Sequence, residues 1–245
     1  MRLRLRHTKV GKVRFTSHRD TANHWERAVR KAGVPLAYSA GFTPRPKLSF
    51  GLALPTGAES LAEFLDMELA DAADWDPAVL PGRLAAALPT GYEVVCMEPC
   101  PPGSASLQDA VVACTWRLEL AHVSPAEAEE AVAAFAAAEE VLLDRERKGQ
   151  RRTDDIRPAV AGLAVVDKVV AELDGVARPV VSAELVTVGR GLRPTELVAA
   201  LFPHLDALDV AARVLRTHQW IDDGGVQREL LPVDAPRLHA LAGCA

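Results

Sequence analysis

Two short segments near the start of the chain combine side chains suited to binding a phosphate-rich, base-containing ligand. Residues 15–20 read Phe-Thr-Ser-His-Arg-Asp, and residues 41–47 read Gly-Phe-Thr-Pro-Arg-Pro-Lys. The first segment predicts a helix N-terminus, whose free N–H groups attract phosphate. The second predicts a loop stiffened by two prolines, with rings nearby on which unpaired bases could stack. The candidate ligand-binding residues of this region are Arg14, Ser17, His18, Arg19, Tyr38, Phe42, Arg45 and Lys47.

Charge is distributed unevenly along the chain. Residues 1–50 contain 12 Lys/Arg and two Asp/Glu, whereas the other 195 residues contain 16 Lys/Arg and 31 Asp/Glu. The net charge of −5 therefore conceals a strongly basic N-terminal region. Such a region indicates a partner that carries phosphate or another acidic surface, rather than a particular fold.

A second charged segment lies between residues 144 and 158. Six Lys/Arg fall between Arg145 and Arg157, against four Asp/Glu between Asp144 and Asp155. This near balance is compatible either with a solvated charged hairpin or with a second nucleic-acid contact. Pro158 favours an extended approach that would present Arg157 outward. The candidate binding residues here are Lys148, Arg151, Arg152 and Arg157.

The sequence offers little support for catalysis. His18 lies beside Ser17 and Asp20, which could be drawn as a nucleophile, a base and an orienting carboxylate. Residues adjacent on one helical turn rarely reach that geometry, so the catalytic residues stay unknown, with His18 as the one candidate. Phosphate-binding loops, dinucleotide fingerprints and the nucleophile-elbow motif are all missing from the sequence.

Cysteine spacing predicts neither a metal site nor a cofactor. Cys96 and Cys100 are four positions apart, as at the start of a radical SAM cluster motif, but position 103 is Gly. Cys114 and Cys244 complete no zinc-ligand spacing. We therefore expect reduced, structural thiols in a cytoplasmic protein.

The periodicity of apolar residues predicts two α+β domains. Strands are expected at 2–15 (with a turn or bulge at Gly11), 36–39, 48–54, 63–70 and 92–97, and helices at 18–31 and 77–88. On strand 2–15, Leu3, Leu5, Val13 and Phe15 are expected on one side, and the Arg and Lys side chains on the other. The order β-α-β-β-α-β is the ferredoxin-like pattern, with an antiparallel sheet and helices on one face.

The same order is expected to recur after the Pro-rich stretch 99–104. Strands are predicted at 110–121, 141–144, 163–166, 180–187 and 212–219, and helices at 125–138 and 194–202. The predicted domains are an N-terminal ferredoxin-like domain at 1–100, a diverged second one at 107–222, and a tail at 223–245. An uninterrupted apolar stretch of about 18 residues, as a membrane helix needs, is missing, and the N-terminus does not read as a signal peptide. We therefore expect no membrane partner.

Several blocks of residues 13–70 resemble a known bacterial family. Besides residues 15–20, these are 26–51 (from Glu-Arg-Ala-Val-Arg to Lys-Leu-Ser-Phe-Gly), Leu-Pro-Thr-Gly-Ala-Glu-Ser at 54–60 and Glu-Phe-Leu-Asp at 63–66. Together they are similar to the radical SAM-linked domain of unknown function, and residues 148–158 are similar to a second block of that family.

The resemblance implies a partner rather than an activity. Members of this family occur fused after a cobalamin-type radical SAM enzyme or as a separate chain encoded beside one, near genes for ribosomal proteins and RNA processing. We therefore expect an accessory protein that binds RNA and presents it to the radical SAM enzyme. Two alternatives stay open: a metal-independent endoribonuclease with paired ferredoxin-like domains, and an adaptor that binds only the enzyme. The oligomeric state does not follow from the sequence.

Overall fold

The computed structural model describes residues 1–70, 76, 78–147, 149–166, 177–189 and 191–231. The chain divides into two compact units, residues 1–111 with 221–245, and residues 112–220. Each unit combines helices with a β-sheet, which confirms the predicted α+β class.

The first unit contains a sheet built from antiparallel pairs. Its elements are β1 (Arg2–Lys9), α1 (His18–Lys31), β2 (Leu48–Phe50), β3 (Glu59–Glu68), α2 (Leu80–Ala85), β4 (Val94–Pro99) and the short α3 (Leu107–Ala110). The strands follow the order β4-β1-β3, and β2 pairs with the other side of β3. Residues 36–39, predicted as a strand, form only two isolated bridges, Leu36 with Leu69 and Tyr38 with Pro46.

Helix α1 follows directly from local sequence signals. Ser17 is its N-cap, since the Ser17 hydroxyl oxygen accepts a hydrogen bond from the Asp20 N–H at 3.1 Å. Gly33, in the left-handed region at φ +63°, follows the last turn. The buried side of the helix, including Trp25 and Val29, packs with Leu3 and Leu5 of β1 in the apolar core. The predicted helix at 18–31 is confirmed.

The N-terminal strand is shorter than predicted. It ends at Lys9, and Gly11–Phe15 forms a 3-10 helix instead of a continued strand. Gly11 adopts φ +67°, a left-handed conformation that ends the extended backbone. Phe15 consequently does not join Leu3 and Leu5 in the core, and its side chain is 62% exposed.

Both faces of β1 are buried beyond Arg2, so Arg4 and Arg6 are not part of an exposed surface. Arg4 forms a two-pronged ion pair with Asp66 of β3, with N–O distances of 2.8 and 2.9 Å. Arg6 is fully buried and pairs with Glu229 at 2.8 Å. Glu229 closes β11 (Val226–Glu229), and Leu231 just beyond it packs with Phe64 of β3. Residues 226–231, within the predicted tail, are therefore structured parts of the first unit, while 232–245 lie outside the described residues.

The second unit has a sheet and a separate hairpin. Its elements are β5 (Val111–Leu120), α4 (Pro125–Ala137), β6 (Leu142–Arg147), β7 (Gln150–Asp155), a 3-10 helix (Arg157–Ala159), β8 (Val160–Val166), β9 (Val180–Val186), α5 (Pro194–Leu201), α6 (Ala207–Val210) and β10 (Ala211–Asp223). The sheet order is β10-β5-β9-β8, whereas β6 and β7 pair only with each other. Helix α4 begins with a complete capping box formed by Ser124 and Glu127.

None of the helices among the described residues is long and apolar enough to cross a membrane.

Candidate nucleic-acid interface

The residues at the start of α1 divide into structural and exposed positions. Ser17 donates its hydroxyl hydrogen to the Asp20 carboxylate at 2.7 Å, and this hydrogen bond lowers the pKa of Asp20. Ser17 is thereby occupied in capping the helix. Arg14 pairs with Glu59 at 3.2 Å and lies over the Phe15 ring, 4.7 Å from its centroid. His18 and Arg19 are exposed to solvent.

Residues 38–47, the proline loop, form a closed stem with an exposed tip. The stem is held by the Tyr38–Pro46 bridge, by the Ser39 N–H donating to the Arg45 carbonyl at 2.9 Å, and by the Arg45 N–H donating to the Ser39 hydroxyl at 3.0 Å. Every residue from 38 to 45 is exposed, and Phe42 at the tip is fully exposed. An ordered loop that holds a ring in water is suited to ligand contact.

Lys47 is only partly available to a ligand. Its ammonium group lies 2.6 Å from the Glu68 carboxylate, and both side chains are about half exposed. This hydrogen bond lowers the pKa of Glu68. Arg45 and the two rings of the loop are therefore the stronger candidates for ligand contact.

The outward side of α1 carries a row of cations, of which the sequence predicted only Arg19 as a binding residue. Arg19, Arg27, Arg30 and Lys31 are all exposed, with Asn23 between the first two, and we call these four cations the basic face of α1. Positions 19, 23, 27 and 30 recur at helical spacing, opposite to the buried stripe, so the signal was present in the sequence. At 1.5 Å per residue the face extends along about 18 Å.

The structure places the other cations of residues 1–50 in different surroundings. Arg4, Arg6, Arg14 and Lys47 all face carboxylates that come from residues 59–68 or from Glu229. Lys12 and Arg45 are exposed, as is the basic face of α1. Apart from the paired Lys47, the exposed cations of the region therefore lie on α1, at Arg45 of the proline loop and at Lys12.

His18 also borders a small cleft with a mixed polar and apolar lining. The cleft has a volume of about 20 Å³, room for about one water molecule. Its polar lining is His7, Lys9, His18, Thr21 and Glu63, and the His18 ring meets the edge of Phe50 at a centroid distance of 5.6 Å. The Ser17 hydroxyl donates directly to the Asp20 carboxylate, so His18 does not bridge the two as a base between a nucleophile and an orienting carboxylate.

The thiols of Cys96 and Cys100 have low reactivity. Burial raises the pKa of both Cys96 and Cys100, which keeps these thiols protonated. Among the described residues, no group of three or more His, Cys, Asp or Glu side chains could hold a metal ion. Cys244 lies outside the described residues.

The second charged segment forms the β6–β7 hairpin of the second unit. Arg151 and Arg152 are exposed on β7, whereas Lys148 lies outside the described residues. The expected outward presentation of Arg157 is wrong: its guanidinium lies 5.7 Å from the centroid of the Phe135 ring and donates to the Val160 carbonyl at 3.3 Å. Residues 157–159 form a 3-10 turn rather than an extended approach, and this turns Arg157 against its own unit.

Comparison with known proteins returns one family. A family model described as an uncharacterized protein conserved in bacteria (DUF2344) matches residues 2–192, which include the proline loop, the basic face of α1 and the hairpin. Among curated proteins, none matches the chain.

Proposed function

The chain belongs to this uncharacterized bacterial family, and on that premise we propose that it is an RNA-binding accessory protein of a radical SAM enzyme. The observation that carries the proposal is the exposed basic face of α1 together with the proline loop. The guanidinium groups supply phosphate contacts, and the exposed rings of Tyr38 and Phe42 supply stacking platforms for unpaired bases.

RNA explains this combination of groups better than an acidic protein does. Phosphate pairs with arginine through two parallel hydrogen bonds, and α1 offers three arginines along one rigid face. An acidic protein surface would also satisfy the charges, but it offers no unpaired bases on which the rings of Tyr38 and Phe42 could stack.

The enzyme partner rests on the sequence resemblance of residues 13–70 to the radical SAM-linked family. We propose that the chain holds RNA near a cobalamin-type radical SAM enzyme in the cytoplasm, and that it needs no cofactor of its own.

We further propose that both units are ferredoxin-like. In the first unit, the order β4-β1-β3-β2 with antiparallel pairs supports this interpretation. In the second unit, β10-β5-β9-β8 is the same arrangement if the β6–β7 hairpin is treated as an insertion.

The test is salt-dependent RNA binding. Fluorescence anisotropy with a labelled unstructured oligonucleotide compares the wild type with Arg27→Gln/Arg30→Gln over a range of salt concentrations. Each lost phosphate contact lowers the slope of log K against log salt by about 0.7, so the double variant should bind about 25-fold more weakly at about 0.1 M salt.

The matched control uses an exposed arginine elsewhere in the first unit. Arg228→Gln removes one charge from a solvent-exposed ion pair with Asp223 and should change neither the affinity nor the slope. Absence of RNA binding by the wild type, or binding that ignores salt, would reject the proposal. Retention of the radical SAM enzyme after nuclease treatment in that case would favour the protein adaptor.

A specific observation also supports the alternative function as an endoribonuclease. The His18 imidazole is exposed at the N-terminus of α1, where it could act as an acid or a base on RNA bound at the surface. Cleavage of RNA by the wild type in the presence of a chelator, lost in His18→Ala, would establish that activity. Intact RNA would leave His18 without a catalytic role.

A further inference from the structure

Exposed aromatic rings are confined to one stretch of the described chain. Every Phe, Tyr or Trp that is exposed among the described residues belongs to residues 15–42, namely Phe15, Tyr38 and Phe42. Tyr38 and Phe42 are in the proline loop, whereas Phe15 directly precedes α1. A single exposed apolar residue needs no explanation, but three rings grouped beside a basic helix indicate a surface that binds a ligand.

The backbone around Phe15 is fixed by contacts with the rest of the first unit. The Arg14 carbonyl accepts a hydrogen bond from the Gly57 N–H at 2.9 Å. The Thr16 carbonyl accepts one from the ammonium group of Lys9, a buried residue, at 2.9 Å. The residues on both sides of Phe15 are therefore tied to the fold, so the ring is already positioned before any ligand binds.

Arg14 covers one face of the Phe15 ring and leaves the other face open. Its guanidinium lies 4.7 Å from the ring centroid and 3.2 Å from the carboxylate of Glu59, whose side chain is buried. Glu59 thereby orients the guanidinium, which in turn packs against the ring. Because Phe15 is still mostly exposed, the opposite face of its ring is available to a second planar group. A nucleobase is such a group, and stacking on an aromatic ring accepts any base.

Phe15 and the proline loop lie near opposite ends of β3. Arg14, next to Phe15, contacts Glu59 at the start of β3, and Leu36, just before the loop, forms a bridge with Leu69 beyond its end. At about 3.3 Å per residue, these two contacts are about 30 Å apart. The basic face of α1 lies between them along the chain, and its four cations form no ion pair within the part of the chain that the structure describes.

We propose that Phe15 is a base-stacking residue, and that one unpaired RNA strand runs from it along the basic face of α1 to the proline loop. This inference rests on the proposed function and adds the class of RNA, which is a single strand rather than a duplex. In a duplex the bases are already stacked on one another, so separate protein rings have no free base to bind. At about 3.4 Å per stacked nucleotide, the distance of about 30 Å accommodates up to about nine nucleotides.

The experiment measures binding of two labelled, unstructured RNAs, of about 12 and about four nucleotides, by fluorescence anisotropy. Phe15→Leu removes the ring but keeps an apolar side chain, and loss of one stacked base should weaken binding of the longer RNA at least about fivefold. The salt slope should stay unchanged, because no phosphate contact is lost. The shorter RNA occupies one ring site at a time, so its binding should weaken by about twofold or less.

Two variants and a duplex serve as controls. Phe15→Tyr keeps the ring and should bind like the wild type. Val226→Ala shortens another exposed apolar side chain of the first unit and should also leave binding unchanged. A blunt duplex of the longer RNA should bind more weakly than the single strand and should not respond to Phe15→Leu. All of these positions are exposed, so the variants should fold, which thermal unfolding verifies.

Phe15→Trp gives a direct readout of stacking. An indole at this exposed position should lose fluorescence when a base stacks on it, so the longer RNA should quench this variant more strongly than the wild type. Equal quenching of the two proteins would contradict stacking at this position.

The outcomes separate this inference from the proposed function. Wild-type affinity in Phe15→Leu, with weakened binding by Arg27→Gln/Arg30→Gln, would overturn the inference and leave the proposed function standing. Equal weakening of both RNA lengths, or of the duplex and the single strand, would also overturn the continuous single strand. Absence of RNA binding by the wild type would reject the proposed function and this inference together.

Discussion

The ion pair between Arg6 and Glu229 offers a direct test of how the first unit is held together. Arg6 has no exposed surface, and its guanidinium lies 2.8 Å from the Glu229 carboxylate. We consider Glu229→Ala, which removes the acidic partner and leaves the guanidinium buried.

The expected cost follows from the remaining contacts of Arg6. Removing one member of a buried pair typically costs about 3–5 kcal/mol because the other charge stays buried. The Arg6 side chain also donates to the Leu61 carbonyl at 3.1 Å and to the Leu231 carbonyl at 3.4 Å. These bonds place the cost near the lower limit, about 3 kcal/mol, which corresponds to a fall in Tm of about 6–12 °C for a chain of this size.

Urea unfolding, followed by tryptophan fluorescence, measures this cost. The matched control is Arg228→Ala at the neighbouring position, where the ion pair with Asp223 is exposed and contributes at most about 1 kcal/mol. The double variant Arg6→Met/Glu229→Ala should recover part of the lost stability, because no buried charge then remains.

A Glu229→Ala variant as stable as Arg228→Ala would refute this reasoning. It would mean that residues 226–231 are not held to the sheet by the buried pair. A double variant less stable than Glu229→Ala would contradict the assignment of the cost to an uncompensated charge.

Two further predictions concern the backbone and pH. Gly91 adopts φ +102°, and an added Cβ would lie 2.3 Å from the Val10 carbonyl oxygen, whereas Gly57 adopts φ +90° with open space around it. Gly91→Ala should therefore lower the free energy of unfolding by more than Gly57→Ala does. The cost of Gly57→Ala is conformational strain of about 1–3 kcal/mol, and equal unfolding midpoints for the two variants would contradict this prediction. Burial, and to a smaller extent the charge of Arg27, lowers the pKa of His24. Neutral His24 therefore contributes to the stability of the fold above the ordinary histidine pKa of about 6.5, and this contribution is lost as the pH falls through the lowered pKa. The Tm of the wild type should thus fall more than that of His24→Gln between about pH 8 and pH 5, and parallel curves would show that His24 does not contribute.

The part of the candidate site that sequence could predict is the part built from near neighbours. The proline loop was recognised by its residues, and the structure places Tyr38, Phe42 and Arg45 on its surface. The basic face of α1 could have been found from the same sequence by continuing the helical spacing from Arg19. Arg157 could not be placed, because its position depends on Phe135, 22 residues earlier.

Helix α1 shows what the sequence by itself determined. Its cap joins Ser17 to Asp20, its apolar stripe repeats every three or four residues, and Gly33 follows its last turn. These interactions link residues within a few positions, so the pattern is legible before any folding partner is known. The α+β class followed from the same local periodicities.

Only the tertiary structure decided which cations face solvent. Arg4 pairs with Asp66, Arg6 with Glu229 and Arg14 with Glu59, partners separated by 62, 223 and 45 positions. A buried charge needs a counter-charge, and which carboxylate supplies it depends on strand order and register rather than on neighbouring sequence. The excess of positive charge in residues 1–50 was therefore visible in the sequence, while the position of its exposed cations, mainly on α1, arose from the pairing of β1 with β3 and from residues 226–231.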